Sequence, residues 1–314
     1  MATQMQAITQ LSFGGPEVLH LTEVERPQPG PGEVLVRVRA AGVNPVDSAV
    51  RAGFFPLFPT PPAVLGWDVA GEVAAVGAGV TRFEVGDEVH GMPRFPEAAG
   101  AYAQYVVAPA GQLAPKPAAL SMTEAGALPL AGLTAWQALV DIADVQPGQR
   151  VLIHAAAGGV GHLAVQIAKA RGAHVIGTAR ADNHAFVESL GADELIDYAT
   201  TDFATAAGQV DVVLDLVGGE YAPRSLRTLR PGGLLVTTVG HHPGLTAEEA
   251  QEHGIRFETV FVEPSGPAME RLGALAEAGK LRVHVGRELP LADAAKAHEL
   301  GATGRAKGKT VLIP

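Results

Sequence analysis

The run Ala155-Ala156-Ala157-Gly158-Gly159-Val160-Gly161 has the composition of a phosphate cradle. Glycines let a backbone approach a pyrophosphate closely, and the first turn of a following helix offers unpaired N–H groups and the positive end of its dipole. Against G-x-G-x-x-G the loop has Ala156 at the first position, with Gly158 and Gly161 at the other two. The context strengthens the motif. Val151 to Ile153, entered from Pro147-Gly148, is a short apolar run of the kind buried on both faces of a parallel sheet. Beyond the loop Val160, Leu163, Ala164, Ile167 and Ala168 recur at helical spacing, and Gly172 stands where a left-handed C-cap belongs. Strand, glycine loop and helix point to a dinucleotide. The plainer reading of the same glycines is tight packing between strand and helix.

The next strand decides which dinucleotide. A site for NAD places Asp or Glu about twenty residues beyond the glycine loop, to accept from the ribose 2′-hydroxyl. Here that point reads Thr178-Ala179-Arg180. The carboxylate is missing and a guanidinium is present, able to pair with a 2′-phosphate. This favours NADP(H) as cofactor over a solvated surface arginine, with Asp182 as the carboxylate that could argue for NAD.

The elements that must position these residues follow from the rest of the chain. Its 314 residues suit two domains. Apolar residues make up 47% and charged residues 18%, a globular composition. A net charge of −10 with no basic run lacks the electrostatic footprint for nucleic acid or an anionic membrane. The absence of cysteine excludes disulfides, thiolate metal sites and thiol nucleophiles together. No stretch approaches a membrane span and no signal sequence is visible, so a cytoplasmic protein is expected.

Residues 1–120 read as turn-rich β-structure, with strands at Val34–Val38, Val69–Val76 and Val85–Val89, which suggests a partly open antiparallel barrel. Ser121-Met122-Thr123-Glu124 is a capping box opening an apolar helix that continues through Leu139. From Val151 strands and helices alternate: strands at Val175–Thr178, Leu195–Ile196, Val210–Val217, Leu234–Val239 and Ile255–Val262 complete a doubly wound parallel sheet. Helices are expected at His184–Leu190, Tyr221–Leu229, Met269–Ala278 and Leu291–Leu300, and the terminal run Lys309–Ile313 is expected to return to the N-terminal barrel. The division is therefore residues 1–123 with 265–314 as one domain and 124–264 as a Rossmann domain inserted in it, with the active site in the cleft between them.

Seven segments carry a family likeness: Gly42-Val43-Asn44-Pro45-Val46-Asp47, Gly66-Trp67-Asp68-Val69-Ala70-Gly71-Glu72-Val73, Val76-Gly77 through Gly86-Asp87-Glu88-Val89, Leu130-Ala131-Gly132-Leu133-Thr134-Ala135, the Ala155–Gly161 loop, Gly191-Ala192-Asp193 and Arg230-Pro231-Gly232-Gly233. In this order, over nearly the whole chain, they resemble the zeta-crystallin-like quinone oxidoreductases of the medium-chain dehydrogenase/reductase superfamily. The resemblance implies an α/β fold with a GroES-like, partly open barrel as catalytic domain beside the Rossmann domain. It implies hydride transfer from NADPH, with the cofactor supplying the chemistry. In the zinc-dependent alcohol dehydrogenase branch a cysteine stands at the position of Asn44 and a His-Glu pair at Trp67-Asp68. Neither is present here, so no metal is expected.

The same resemblance assigns candidate residues. Gly158, Gly159, Val160 and Gly161 would bind pyrophosphate, and Thr178 and Arg180 would lie at the adenosine ribose with Tyr198 beside them. Val217, Val239, Gly240, Phe261 and Val262, at strand ends, would flank the nicotinamide. Thr134 could bond the cofactor phosphate or ribose, or its own helix turn. Asn44 would face the nicotinamide and stabilise a developing oxyanion, with Asp47 as its catalytic partner; both could equally be turn-capping residues. Tyrosines that several relatives carry are replaced here by Ala49 and Phe55, which puts quinone specificity in question. Phe54, Phe55 and Phe58, with Trp67, would form an apolar substrate pocket unless they pack in a core.

The expected function is reduction of a quinone or an activated alkene by NADPH. The alternatives are an enone or enoyl reductase without quinone activity, and an NADPH-binding sensor or structural protein without turnover. A homodimer paired through the edge strand Ile255–Val262 is implied by the resemblance.

Overall fold

The computed structural model describes residues 3–54, 60–240 and 242–314. The chain forms two compact units, one of Met1–Leu133, Glu263–Gly279 and Val283–Pro314, the other of Thr134–Val262 and Lys280–Arg282.

The first unit is built on the strand Glu33–Val43, whose burial alternates from Val36 to Ala40 between two continuously buried runs, Val34–Val36 and Ala40–Gly42. It pairs antiparallel with Val69–Val76 on one side and with Tyr105–Pro109 and the C-terminal Lys309–Ile313 on the other. The terminal strand thus rejoins the N-terminal sheet, with Thr310 opposite Val43 and Leu312 opposite Ala41. Gln4–Gln10, Leu19–Glu25 and Ala63–Val64 make a separate three-stranded sheet. Val85 belongs to a turn and not to a strand. The turn is closed by Gly86, at φ +101°, and by Asp87 accepting from the Glu84 N–H, so the strand is Glu88–Gly91. The Ser121–Glu124 capping box is present, but the helix it opens ends at Ala127. Pro129 has no N–H to continue the ladder, and a new helix runs Pro129–Trp136, followed by a wide π turn over Gln137–Ile142. Helix Met122–Ala127 lies close on the Glu33–Val43 strand, because at Gly126 a Cβ would sit 2.7 Å from that of Ala40.

The second unit holds one parallel sheet with edge-to-edge order Glu194–Ile196, His174–Thr178, Arg150–Ile153, Val210–Asp215, Leu229–Thr237 and Arg256–Thr259. Counted along the chain within this sheet the order is 3-2-1-4-5-6, the Rossmann arrangement. The first strand is buried along Val151–Ile153, and Val210–Asp215 is buried at every position. The fourth strand stops at Asp215, short of Val217, because the Asp215 carboxylate accepts the N–H groups of Val217 and Gly218 and turns the chain. The helix after it is short, Tyr221–Ser225, and tightens to a 3₁₀ turn over Leu226–Thr228. Among the described residues no helix is long and apolar enough to cross a membrane.

Candidate active site

All six strands of the Rossmann sheet run parallel, so their carboxyl ends share one edge. The glycine loop follows Ile153, and Arg180, Tyr198, Val217, Val239 and Phe261 each follow a strand of that sheet by two residues. The sheet therefore brings the cofactor-binding candidates to one side, with Gly240 next to Val239. Val217 and Phe261 are 40% and 51% exposed, whereas the side chain of Val262 is buried. Thr134 is buried on the helix Pro129–Trp136.

The loop itself is sterically specified. At Gly161 a Cβ would lie 2.2 Å from the Ala155 carbonyl oxygen and 2.8 Å from Ala156 Cα, so no other residue fits without moving the loop. Gly158, Gly159 and Val160 are partly exposed and lead into the ten-residue helix Gly161–Ala170. Gly158 donates to the Ala155 carbonyl at 2.9 Å, which folds the loop back on itself. Ala155 takes φ +48°, unusual for a residue with a Cβ. Its N–H is received by the Thr178 hydroxyl at 3.2 Å, and the Ala156 N–H by the Thr178 carbonyl at 2.9 Å. Thr178 is wholly buried, so its side chain braces the loop from inside. Arg180 and Tyr198, from neighbouring strand ends, meet: the guanidinium Nε donates to Tyr198 Oη at 3.2 Å and lies 5.9 Å from the ring centroid. The exposed guanidinium is a fixed cation at the place where the carboxylate of an NAD site is missing, and its charge is further stabilised by the Tyr198 hydroxyl and by Asp197 and Asp182 nearby.

In the first unit a buried polar chain surrounds Asn44. This residue is the N-cap of helix Pro45–Arg51, in a capping box with Asp47, and its side-chain amide also reaches beyond the helix. Nδ2 donates to Asp68 Oδ2 at 2.9 Å, and Oδ1 accepts from the ammonium of Lys309. Lys309 also donates to the Val43 carbonyl at 3.1 Å and to Asp68 Oδ2 at 3.3 Å, so its three protons have three acceptors. Asp68 Oδ1 accepts the Leu130 N–H at 2.6 Å. Gly42 makes room for this carboxylate, since a Cβ there would stand 2.5 Å from Asp68 Oδ2. Asp47 is the N3 half of that capping box: its Oδ2 accepts the Asn44 N–H at 2.7 Å and the Tyr102 hydroxyl at 2.8 Å.

Behind Tyr102 lies His298, with Nε2 at 3.3 Å from Tyr102 Oη and Nδ1 at 3.2 Å from Arg51 Nη1 and 3.1 Å from Ser48 Oγ. A guanidinium can only donate, so Nδ1 is the acceptor and Nε2–H the donor toward Tyr102. Burial, with the Arg51 charge beside it, pulls the His298 pKa down to about 3, and the ring is neutral.

Asp47, Asp68 and Tyr102 have no exposed surface, while Asn44 keeps 3%. Burial raises the pKa of both carboxylates. Lys309 and Asn44 oppose the rise at Asp68, and Asp47 is held at about 7 with its Oδ1 unpartnered. Asp47 thus presents no surface to a reactant in this structure, against its expected catalytic place, and its carboxylate is engaged by the Asn44 N–H and the Tyr102 hydroxyl. Because its folded pKa lies above the unfolded value, the stability it contributes is complete at acid pH and is lost as pH rises toward about 7. Asp47→Asn keeps an acceptor for Tyr102 and Asn44 without that titration. Its stability relative to the parent should therefore rise with pH across the range from about 4 to about 7 and then level, as urea unfolding at a series of pH values would show; a flat difference would refute this.

Trp67 does not line a pocket. It is 1% exposed, donates its indole N–H to the Glu97 carbonyl at 2.7 Å and meets Phe95 edge to face at 5.4 Å, so it is a core residue with its polar atom satisfied. Phe54 is 78% exposed and not in a core; Phe55 and Phe58 lie outside the described residues. Asp68, Tyr102, His298 and Lys309 were not singled out as site residues by the sequence. The one available signal was Lys309 itself, a charge two residues before the apolar run Val311-Leu312-Ile313.

Two family models match the chain: the alcohol dehydrogenase GroES-like domain over residues 30–118 and the zinc-binding dehydrogenase over residues 190–312. The residues here do not fit a zinc ion. Between Asn44 and Asp68 the structure places the Lys309 ammonium, and the chain has no thiolate to offer. Among the described residues no cluster of three or more His, Cys, Asp or Glu could hold a metal. A quinone oxidoreductase of Pseudomonas aeruginosa is 36% identical over 96% of this chain and 98% of its own. A 2-haloacrylate reductase of a Burkholderia species is 36% identical over 96% of each chain. The structure of Escherichia coli quinone oxidoreductase complexed with NADPH superposes with a TM-score of 0.89 at 33% identity, covering 98% of this chain and all of that one. With near-full-length identity at this level and both domains matched, the chain is an oxidoreductase and belongs to the quinone oxidoreductase family of the medium-chain dehydrogenase/reductase superfamily.

Proposed function

We propose that the protein is an NADPH-dependent reductase that delivers hydride to a quinone or an activated alkene without a metal ion. NADP(H) is the cofactor, and the observation that carries the reading is the sheet edge. It presents a glycine cradle that admits no side chain at Gly161 and, one strand away, the Arg180 guanidinium anchored by Tyr198. The cradle would take the pyrophosphate on the backbone of Gly158–Gly161, at the positive end of helix Gly161–Ala170. Arg180 would take the 2′-phosphate. Val217, Val239, Gly240 and Phe261 would border the nicotinamide, whose reduced form supplies the hydride.

Asn44 would serve the substrate oxygen. Its amide is fixed by Lys309 and Asp68 and its backbone by Asp47, so the second Nδ2 hydrogen is held in a preset direction before the reaction begins. The proton that completes the product would come from solvent.

An enone reductase without quinone activity is the second reading. The relative named for 2-haloacrylate reduction supports it, as do Ala49 and Phe55 in place of the tyrosines of several relatives. A homodimer would pair through Arg256–Thr259, which among the described strands bonds only Leu229–Thr237 and leaves its other edge open. A cytoplasmic location suits an acidic chain without cysteine.

Oxidation of NADPH and NADH, followed by nicotinamide absorbance with a naphthoquinone, a benzoquinone and several enones, tests the proposal. Turnover of quinones with NADPH is the expected result. Activity confined to enones moves the substrate class to the second reading, and tight NADPH binding with no turnover of either class would refute catalysis and favour a sensor.

A further inference from the structure

The last residue before the glycine loop is a histidine without a solvent-exposed atom. His154 is 0% exposed and follows the strand Arg150–Ile153 directly, its N–H received by the Leu214 carbonyl at 3.1 Å. Phe203 and Tyr221 meet its ring edge to face at 4.5 and 5.0 Å. Its two nitrogens face two hydroxyls: Nε2 stands 2.9 Å from Ser225 Oγ and Nδ1 3.3 Å from Thr178 Oγ1.

Proton counting fixes the directions. Ser225 has one hydroxyl proton and gives it to the Tyr221 carbonyl at 2.7 Å, so His154 Nε2–H must donate to Ser225 Oγ. Nδ1 of the neutral ring is then an acceptor, and the Thr178 hydroxyl donates to it. That leaves the Thr178 oxygen lone pairs for the Ala155 N–H at 3.2 Å. One directed chain results: Ala155 N–H to Thr178, Thr178 to His154, His154 to Ser225, Ser225 to the Tyr221 carbonyl. Burial and the nearby Arg224 charge keep the ring neutral, with a pKa of about 3.

Ala155 is the hinge of the cradle. It holds φ +48°, and its carbonyl lies against Gly161, the first residue of the helix that would receive the pyrophosphate. Left alone, an alanine would leave this conformation, at a cost to the loop geometry. We infer that His154 is a positioning residue for cofactor binding: through Thr178 it holds Ala155 in its left-handed conformation and so sets the cradle before the dinucleotide arrives. This rests on the reading of Ala155–Gly161 as the pyrophosphate site. It also gives the buried Thr178 hydroxyl a role distinct from contacting ribose.

The test compares NADPH with adenosine 2′-monophosphate, which carries the 2′-phosphate but no pyrophosphate. His154→Phe keeps an aromatic ring and loses both hydrogen bonds; Thr178→Val keeps the shape and loses the hydroxyl; His154→Asn returns an acceptor near the Nδ1 position. With folded variants judged by melting and titrated by calorimetry, His154→Phe and Thr178→Val should each weaken NADPH about ten-fold. Adenosine 2′-monophosphate should bind within about two-fold of the parent, and the double variant should be no worse than either single one, since both break the same chain. His154→Asn should recover most of the loss, and kcat at saturating NADPH should hold while KM rises.

Unchanged NADPH affinity in folded His154→Phe overturns the inference, as does equal weakening of both ligands or additive loss in the double variant. If His154→Phe does not fold, Thr178→Val carries the same comparison. Gly161→Ala separates the two levels. NADPH affinity lost there but kept in His154→Phe refutes only the brace, whereas affinity kept in Gly161→Ala refutes the cradle and the brace with it.

Discussion

Lys309→Met should destabilise the protein by about 3–5 kcal/mol, the cost of leaving a buried charge without its partner. Methionine matches the length of the lysine stem and suits an apolar strand, so the loss will not come from a cavity. It comes from Asp68, which is fully buried, and from the Asn44 Oδ1 and Val43 carbonyl that lose their donor. The pH dependence distinguishes this cause from poor packing. Lys309 opposes the rise that burial imposes on the Asp68 pKa, so without it that pKa climbs further. A protonated Asp68 removes the uncompensated charge, and the destabilisation should therefore shrink on the acid side and grow as pH rises through the new value. Lys309→Met/Asp68→Asn should recover part of the stability at neutral pH. Activity should fall in both variants, because the Asn44 amide loses the partner that fixes its rotamer. Urea unfolding at two pH values measures this; a single variant within about 1 kcal/mol of the parent at neutral pH would show that the ammonium is not what holds the network.

The part of this site that the sequence made legible is the part whose physics is local. Gly161 must be glycine because of the Ala155 carbonyl six residues earlier, and Arg180 stands at a fixed interval along a recognisable strand, so spacing alone reports both. The parallel sheet was legible for the same reason: buried apolar strands alternate with helical spacing. The Asn44 network is different. It draws on residues 44, 47, 68, 102, 298 and 309, and beyond the local pair Asn44 and Asp47 nothing in the neighbourhood of any one of them names the others. Lys309 is buried only because its strand pairs with Ala41–Val43 across more than two hundred residues of intervening chain. Trp67 misled for a related reason, since an aromatic residue beside a polar one reads alike on a pocket wall and in a core. The single helix expected from the Ser121 capping box through Leu139 is two, because the apolar spacing continues across Pro129, where the backbone ladder cannot.

Arg180→Ala should lower kcat/KM for NADPH by about 10–100-fold while changing that for NADH by less than about three-fold. The argument is one of geometry and charge. The guanidinium emerges at the carboxyl end of the second strand, where a ribose 2′-substituent is expected, and Nε is already committed to Tyr198 Oη, which leaves the Nη donors toward solvent. Anchoring one edge of the fork reduces the freedom that a phosphate would otherwise have to freeze out. Tyr198→Phe should therefore weaken NADPH selectively, though less than loss of the guanidinium, because the charge remains and only its orientation is released. Arg180→Lys should restore part of the preference, since an ammonium supplies charge without the fork. Added salt should erode the preference of the parent enzyme, the pair being exposed, and have little effect on Arg180→Ala. If Arg180→Ala keeps the NADPH to NADH ratio, the 2′-phosphate is recognised elsewhere. If instead Asp182→Asn selectively weakens NADH, that carboxylate serves the ribose and the second strand supports both cofactors.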